Sequence, residues 1–259
     1  MKKKATVVSY VMQKGGVAKT TTGKNSAEIL GKEYKVLAID NDQNADFTDS
    51  FTSKKLIEKN GSKTLYDVYI KGASINDVKI KITDNIDLVP SSIMLANVDI
   101  ELSSRMSREF VLRKAIQEVI YDYDYIIIDC SPTLSMTTIN ALVASDYTVY
   151  VTQLEYFSMQ GLTQLQKTVD MVKEVNTELK DIGLILTMAD STNHVKDVLD
   201  ELESTGYNIL GTIDRSTIVR DAIMAKQAVF QFDSNHKTAK QYEEFVNTIT
   251  LYHYSIIQL

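Results

Sequence analysis

One segment near the amino terminus limits what this chain can become. An apolar run, Ala5–Met12, leads into Gln13-Lys14-Gly15-Gly16-Val17-Ala18-Lys19-Thr20-Thr21-Thr22 and then into a helix-compatible stretch ending at Leu30. A strand that turns through two glycines directly into a helix is the opening unit of an α/β fold. The same order of pieces suits a phosphate. Gly15 and Gly16 let backbone N–H groups converge on one point, and a helix N-terminus adds positive partial charge. Lys19 offers a cation to the β- and γ-phosphates, and the Thr20 hydroxyl suits Mg²⁺. A plain glycine turn before an exposed helix would need only the Gly-Gly pair. Strand, loop, Lys-Thr and helix together favour nucleotide binding along Gly15, Gly16, Val17, Ala18, Lys19, Thr20 and Thr21.

Elsewhere, apolar runs rich in β-branched and aromatic residues alternate with helical spacing. Ala5–Met12, Lys35–Asp40, Ile86–Val89, Tyr125–Asp129, Tyr147–Thr152, Ile182–Met188 and Tyr207–Ile213 read as strands. Ile126-Ile127-Ile128 is apolar at consecutive positions, as in a strand buried on both faces of a parallel sheet. Phe110, Leu112, Ile116, Val119 and Ile120 predict a helix over 108–120. Leu162, Leu165, Val169, Val172 and Val175 predict another over 162–175. With no linker or repeat among 259 residues, and 44% of them hydrophobic, the expectation is one domain over 1–259. It is an α/β fold with a mostly parallel twisted sheet and helices on both faces. Ligands of such sheets sit at the carboxyl ends of the strands.

Acidic residues fall at those ends. The run Lys35–Ile39 finishes in Asp40-Asn41-Asp42-Gln43-Asn44-Ala45-Asp46-Phe47-Thr48, and Tyr125–Ile128 finishes in Asp129-Cys130-Ser131-Pro132. Beside a triphosphate, one carboxylate can hold a Mg²⁺-bound water while another orients the attacking water. Asp42 has a bland reading as part of an Asx-rich turn, and Asp129 alone as a helix cap or strand-end turn residue; the upstream loop tips both toward function. Cys130 reads as a small buried residue, with no base nearby to activate it.

Lys14-Gly-Gly-Val-Ala-Lys-Thr20 departs from the common G-x-x-x-x-G-K-[ST] loop, because Gln13 and Ala18 stand where its glycines belong. It resembles instead the deviant K-G-G-x-G-K-[ST] loop of the ParA/MinD ATPases, and Asp40–Asn44 resembles that family's D-x-D-P-Q segment. Leu88–Ala96, Glu101-Leu102, Ser107–Glu109, Thr138–Leu142, Ala144–Asp146 and Glu155–Leu162 carry the resemblance, closest to short ParA-type partition ATPases, from about residue 5 to about 250. The helix-turn-helix extension of longer plasmid relatives is not expected, since the loop starts at residue 13. The resemblance implies ATP and Mg²⁺ as cofactors and assigns roles. Lys14 reaches the partner's phosphates across a nucleotide-sandwich homodimer, and Lys19 acts on the bound phosphates. Thr20, Asp40 and Asp129 serve the metal, and Asp42 positions the water. Met188 and Asp214 add nucleotide contacts.

Two departures bear on turnover. A Cβ at Ala18, where the family has glycine, is harmless at negative φ but costs about 1 kcal/mol or more at positive φ. Gln43 replaces the family's proline. The resemblance further implies non-specific DNA binding, with Arg215, Arg220, Lys226, Lys237 and Lys240 as phosphate-contact candidates. It also implies a centromere-binding ParB-like partner that stimulates hydrolysis, and a cytoplasmic, nucleoid-associated protein that segregates plasmid or chromosomal DNA. Composition does not suggest DNA by itself: the formal net charge is −6, and Asp214, Asp221 and Asp233 are interleaved with the basic residues.

Other classes fare less well. The start, Met1-Lys-Lys-Lys-Ala-Thr-Val-Val, is not a signal peptide, and no apolar run approaches the roughly 20 residues of a membrane span. A MinD-like membrane-positioning ATPase needs a basic amphipathic C-terminal helix. Here the stripe Tyr242, Phe245, Val246, Ile249, Tyr252, Ile256 has no lysine or arginine after Lys240 and reads as packing on the sheet. A shared iron–sulfur cluster needs two cysteines per subunit, and Cys130 is the only one. Tyr252 and Tyr254 are too few for the tyrosine-rich tail of an autokinase. A hydrolysis-impaired ATP switch, slowed by Ala18 and Gln43, is the non-enzymatic alternative.

Overall fold

The structure, a computed structural model, describes residues 3–59, 61–153, 156–189, 202 and 206–255; at 54, 156–160 and 253–255 it describes the backbone alone. One sheet of eight strands runs through it: β1 (Thr6–Val11), β2 (Val36–Asn41), β3 (Ile80–Lys81), β4 (Ile86–Val89), β5 (Tyr125–Cys130), β6 (Tyr147–Gln153), β7 (Lys180–Ala189) and β8 (Ile209–Asp214). Their spatial order is β3-β4-β2-β5-β1-β6-β7-β8. All pairings are parallel except the β3–β4 edge. The seven runs expected as strands are all present. β3 has only two residues, too few for any periodicity to announce it.

Every residue of β1, β2 and β5 is buried, as consecutive apolar runs covered on both faces require. Each Val, Leu or Ile hidden there contributes roughly 1.5–3 kcal/mol. The register of these three strands matters most for the site. Tyr10 pairs with Asp129 and Asp40 pairs with Asp129, so two acids lie side by side at the carboxyl edge, next to the point where β1 gives way to its loop.

The helix Lys19–Leu30 follows that loop and packs against β1, β2 and β5. Lys237–Ser255 packs on β8 and on Lys19–Leu30. It buries Tyr242, Phe245, Val246 and Ile249, and the Tyr10 and Phe245 rings meet edge-on at 6.4 Å. Tyr252 packs against the core, while Ile256 lies outside the described residues. The stripe that a membrane-lying helix would show to lipid is thus spent on the sheet. No described helix is long and apolar enough to cross a membrane.

Two helical expectations change. The 108–120 pattern divides into a 3-10 turn, Arg108–Phe110, and a shorter helix, Val111–Gln117. Ser107, at φ +54, sets the break at the start. At the end, Glu118 and Val119 donate to the carbonyls three residues back, and Ala5 N–H docks the Ile120 carbonyl, so Val119 and Ile120 are buried by a tightened turn. The second helix spans Tyr156–Lys173. Leu162, Leu165, Val169 and Val172 face inward, but Val175 lies past the helix end and is 49% exposed.

β6 and β7 slip register between Thr148 and Val149, opposite Asp181 and Gly183. Gly183 has φ +135, and a Cβ on it would lie 2.1 Å from the Asn208 carbonyl oxygen. Only glycine fits such a backbone. Gly183→Ala is expected to lower the unfolding free energy by at least about 2 kcal/mol, read from urea titration; an unchanged midpoint would contradict this register.

Candidate nucleotide site

The loop between β1 and the helix Lys19–Leu30 is held from several directions. Gln153 Nε2, at the end of β6, donates to the Gly16 carbonyl at 3.0 Å. Thr187 Oγ1, near the end of β7, lies 2.8 Å from the Val17 carbonyl and 3.1 Å from that of Thr152. The backbone turns through Gly16 at φ +74 and Ala18 at φ +66. Ala18 is the helix N-cap and makes no side-chain cap bond. Its left-handed backbone therefore has the cost that a Cβ brings at positive φ, about 1 kcal/mol or more.

Lys19 opens the helix and is 7% exposed. Its Nζ folds back to the Lys14 carbonyl at 3.1 Å. Burial pulls its pKa below the ordinary lysine value, while Asp129 and Asp42 act in the opposite direction. Lys14 is half-buried. Thr20 Oγ1 donates to Asp129 Oδ2 at 2.7 Å, joining the first helical turn to the end of β5. Asp129 is buried; burial, then the Asp40 charge, push its carboxyl well above the usual range, with Thr20 and Lys19 opposing.

Asp40 carries a different load. Its Oδ2 accepts Thr48 N–H at 2.7 Å and Thr48 Oγ1 at 2.6 Å, and its Oδ1 accepts Asp42 N–H at 3.1 Å. Burial raises its pKa to about 7 against those bonds. Asp42 Oδ1 accepts Asn44 N–H at 3.1 Å. Ser91 Oγ donates to the Asp42 carbonyl at 2.5 Å, and Ser91 N–H to Thr48 Oγ1 at 2.9 Å. The acidic loop is thereby pinned to β4's exit and turns through Ala45, at φ +59, into the short helix Asp46–Phe51.

Beside a cleft of about 380 Å³ lined by Lys24, Asp49, Ile223 and Lys226, two more open at the loop. One of about 300 Å³ is bordered by Gly15, Gly16, Lys19, Thr20, Asp42 and Pro132. A second, of about 370 Å³, shares Ala18, Thr21 and Met188 with it and adds Ile213, Asp214 and Tyr242. A polar cleft beside a more apolar one, with volumes in the range of small-molecule pockets, matches a triphosphate and its base. Met188 sits between them at φ +52, its sulfur 2.8 Å from Gln153 Nε2. Asp214 pairs with Lys237 at 2.5 Å, and its carboxyl is held below the usual range by Lys237 and Gln241 despite partial burial.

The oxygen set suits a divalent cation. Asp129 Oδ1 is buried and has no hydrogen-bond partner, beside a threonine hydroxyl on the same carboxylate. No cluster of three or more His, Cys, Asp or Glu placed for a metal occurs among the described residues. An ion here would take part of its shell from phosphate and water, as Mg²⁺ prefers. Thr20 and Asp129 are the residues that would hold it.

Of the five basic residues considered for DNA, Arg215 and Arg220 are exposed at the second cleft and Lys240 is exposed on the C-terminal helix. Lys237 is engaged by Asp214, and Lys226 Nζ donates to the Thr52 carbonyl at 2.7 Å. Two of the five are thus engaged within the chain, Lys237 by Asp214 and Lys226 by Thr52. Thr48, Ser91, Gln153 and Thr187 have no role that the sequence alone announces; their part is to hold backbone, and no motif spacing marks a residue that works through a carbonyl or an amide. Cys130 is buried, and burial raises its thiol pKa. Residues 190–194 and Glu155 lie outside the described residues. Ala18→Gly is expected to raise stability by up to about 1 kcal/mol by relieving the left-handed Cβ, read by thermal or urea unfolding; destabilisation would contradict the backbone geometry assigned to the loop.

A family described as AAA domain matches residues 5–181. The chain is 41% identical over 204 residues to the sporulation initiation inhibitor protein Soj of Bacillus subtilis, covering 76% of this chain and 78% of Soj. It is 36% identical over 206 residues to the chromosome partitioning protein ParA of Myxococcus xanthus, covering 78% and 71%. A plasmid partition protein of Borrelia burgdorferi, in a crystal structure with bound AMPPNP, superposes with a TM-score of 0.82 at 28% identity over 95% of this chain and 99% of that one. With that loop, those acids and these relatives, the chain belongs to the ParA-type ATPases, on a P-loop NTPase fold.

Proposed function

We propose that this protein binds Mg²⁺-ATP in the two joined clefts, closes into a homodimer around it, binds DNA non-specifically in that state, and leaves DNA after hydrolysis. The observation that carries the proposal is the Thr20–Asp129 contact beside the Lys19 ammonium. A hydroxyl, an orphan carboxylate oxygen and a buried cation converge beside the glycine loop. Relatives named for partitioning and sporulation control, and a similar structure holding an ATP analogue, support a role in partitioning DNA. A centromere-binding ParB-like partner is part of the proposal.

The residues divide the work. The loop amides and Lys19 neutralise phosphate charge, so the low-dielectric cleft favours charge that develops in transfer. Bound Mg²⁺ supplies Lewis-acid neutralisation of the phosphate oxygens. Asp129 and Thr20 would hold the ion. Asp40, whose oxygens accept three donors, supports the metal site by placing Thr48 and the Asp42 loop. Asp42 orients water. Lys14, on the rim of the loop, crosses to the partner's phosphates. Met188 and Asp214 border the base, and Arg215, Arg220 and Lys240 supply DNA phosphate contacts. Lys237 can do so only when it releases Asp214.

Ala18, at φ +66, favours one second reading: an ATP-locked switch with little turnover. Phosphate release measured with and without DNA separates the two, since a switch forms the dimer and releases almost none.

Lys19→Ala should weaken ATP binding about 10- to 150-fold, the loss of a charge-assisted hydrogen bond to phosphate. Asp42→Ala should keep ATP but lose at least about 100-fold in turnover and trap the DNA-bound dimer; loss of ATP binding would refute Asp42's role. Lys14→Ala should sediment as a monomer with ATP, and an unchanged dimer would count against the cross-dimer lysine. DNA binding should require ATP rather than ADP and weaken steeply with salt; equal binding without nucleotide would overturn the cycle.

A further inference from the structure

Lys226 has a backbone that lysine rarely adopts, and a reason for it. It sits at φ +57 just past the helix Thr217–Met224. There Lys226 N–H donates to the Ile223 carbonyl and Gln227 N–H to the Ala222 carbonyl. Glycine is the usual occupant of such a left-handed helix stop. The lysine stem instead carries Nζ to the Thr52 carbonyl at 2.7 Å, across 174 positions of sequence.

Thr52 is the C-cap of Asp46–Phe51, and a helix end leaves carbonyls that need donors. Lys24 reinforces the same end, its Nζ 3.8 Å from the Phe51 ring centroid and 2.7 Å from Glu28 Oε1. The chain after Lys226 is fixed as well: Val229 N–H donates to Asn25 Oδ1 at 2.8 Å, and Gln231 Nε2 to Glu28 Oε2 at 3.0 Å. Thus Lys226 has one end on a helix whose Val219, Arg220 and Ile223 border the base cleft. Its other end is on the helix whose Thr48 holds Asp40 and Ser91.

We infer that Lys226 is a positioning residue that couples occupancy of the base cleft to the placement of the Asp42 loop, and that it is not a DNA contact. This rests on the nucleotide-site reading above. A base seated against Thr217–Met224 steadies that helix; the Lys226–Thr52 bond passes the order to Asp46–Phe51, and Asp40 with Ser91 passes it to Asp42. Phosphate alone, gripped by the loop at Gly15–Thr21, does not engage this route.

Backbone amide hydrogen exchange tests the inference, with Mg²⁺-ATP compared against Mg²⁺ tripolyphosphate, which has no base. In the parent protein, ATP should slow exchange over residues 46–52 about fivefold more than tripolyphosphate does, the factor one hydrogen bond supplies. Lys226→Gly suits the left-handed backbone, whose relief offsets the lost Thr52 bond, and should still fold. In it the base-dependent increment should vanish, tripolyphosphate protection should remain, and ATP-dependent DNA binding should survive. An increment that persists in Lys226→Gly overturns the coupling, as does equal protection by the two compounds in the parent protein. DNA binding lost with the increment intact makes Lys226 a DNA contact instead. If neither compound protects the loop at Gly15–Thr21, the nucleotide-site reading fails, and this inference with it.

Discussion

A threonine hydroxyl on the first turn of Lys19–Leu30 meets the Asp129 carboxylate at 2.7 Å, and much else is arranged to keep them there. Asp129 is placed by its parallel register with Tyr10 and Asp40, Thr20 by the loop that Gln153 and Thr187 pin from β6 and β7. Taking a carboxylate out of water is costly unless something compensates its charge. Asp129 has one hydroxyl and a buried lysine for that, and an oxygen left over. A site with such an imbalance gains most from a cation and a phosphate arriving together.

The surrounding backbone is strained. Six non-glycine residues among those described have left-handed φ, and Ala18, Ala45, Met188 and Lys226 belong to the loops around the clefts. Strain of this kind persists only where neighbouring contacts over-determine it. Each of these loops has such contacts: Thr22 N–H on the Ala18 carbonyl and Asp49 N–H on that of Ala45, Gln153 on the Met188 sulfur, Lys226 Nζ on the Thr52 carbonyl. The buried Lys24–Glu28 pair belongs to the same frame, linking the nucleotide helix to Phe51 and Gln231.

Much of this was legible in the residues themselves. Consecutive apolar runs fixed the central strands, because a strand covered on both faces tolerates no polar alternation. The phosphate loop was legible because glycine, lysine and threonine perform separable tasks at set positions. What stayed hidden depends on tertiary packing. The 108–120 periodicity continues through Val119 and Ile120 because both are buried, yet the chain there is a turn docked on Ala5. β3 is set by its neighbour rather than by its own two residues. Lys226 reads as a surface cation until Thr52 is brought to it, and no spacing announces that Asp40 also holds Thr48 and the Asp42 amide. Whether Ala18 was strained hung on the sign of one dihedral, which no sequence states.

The central claim is that this loop grips the β- and γ-phosphates and the ion between them. Calorimetric titration of the purified protein with Mg²⁺-ATP, Mg²⁺-ADP and AMP tests it most directly. The account predicts that affinity falls by at least about a hundredfold from ADP to AMP, as the charge-assisted bonds to the β-phosphate disappear, and that chelating the magnesium weakens ATP. Equal affinity for AMP and ATP, or no binding of either, would contradict it.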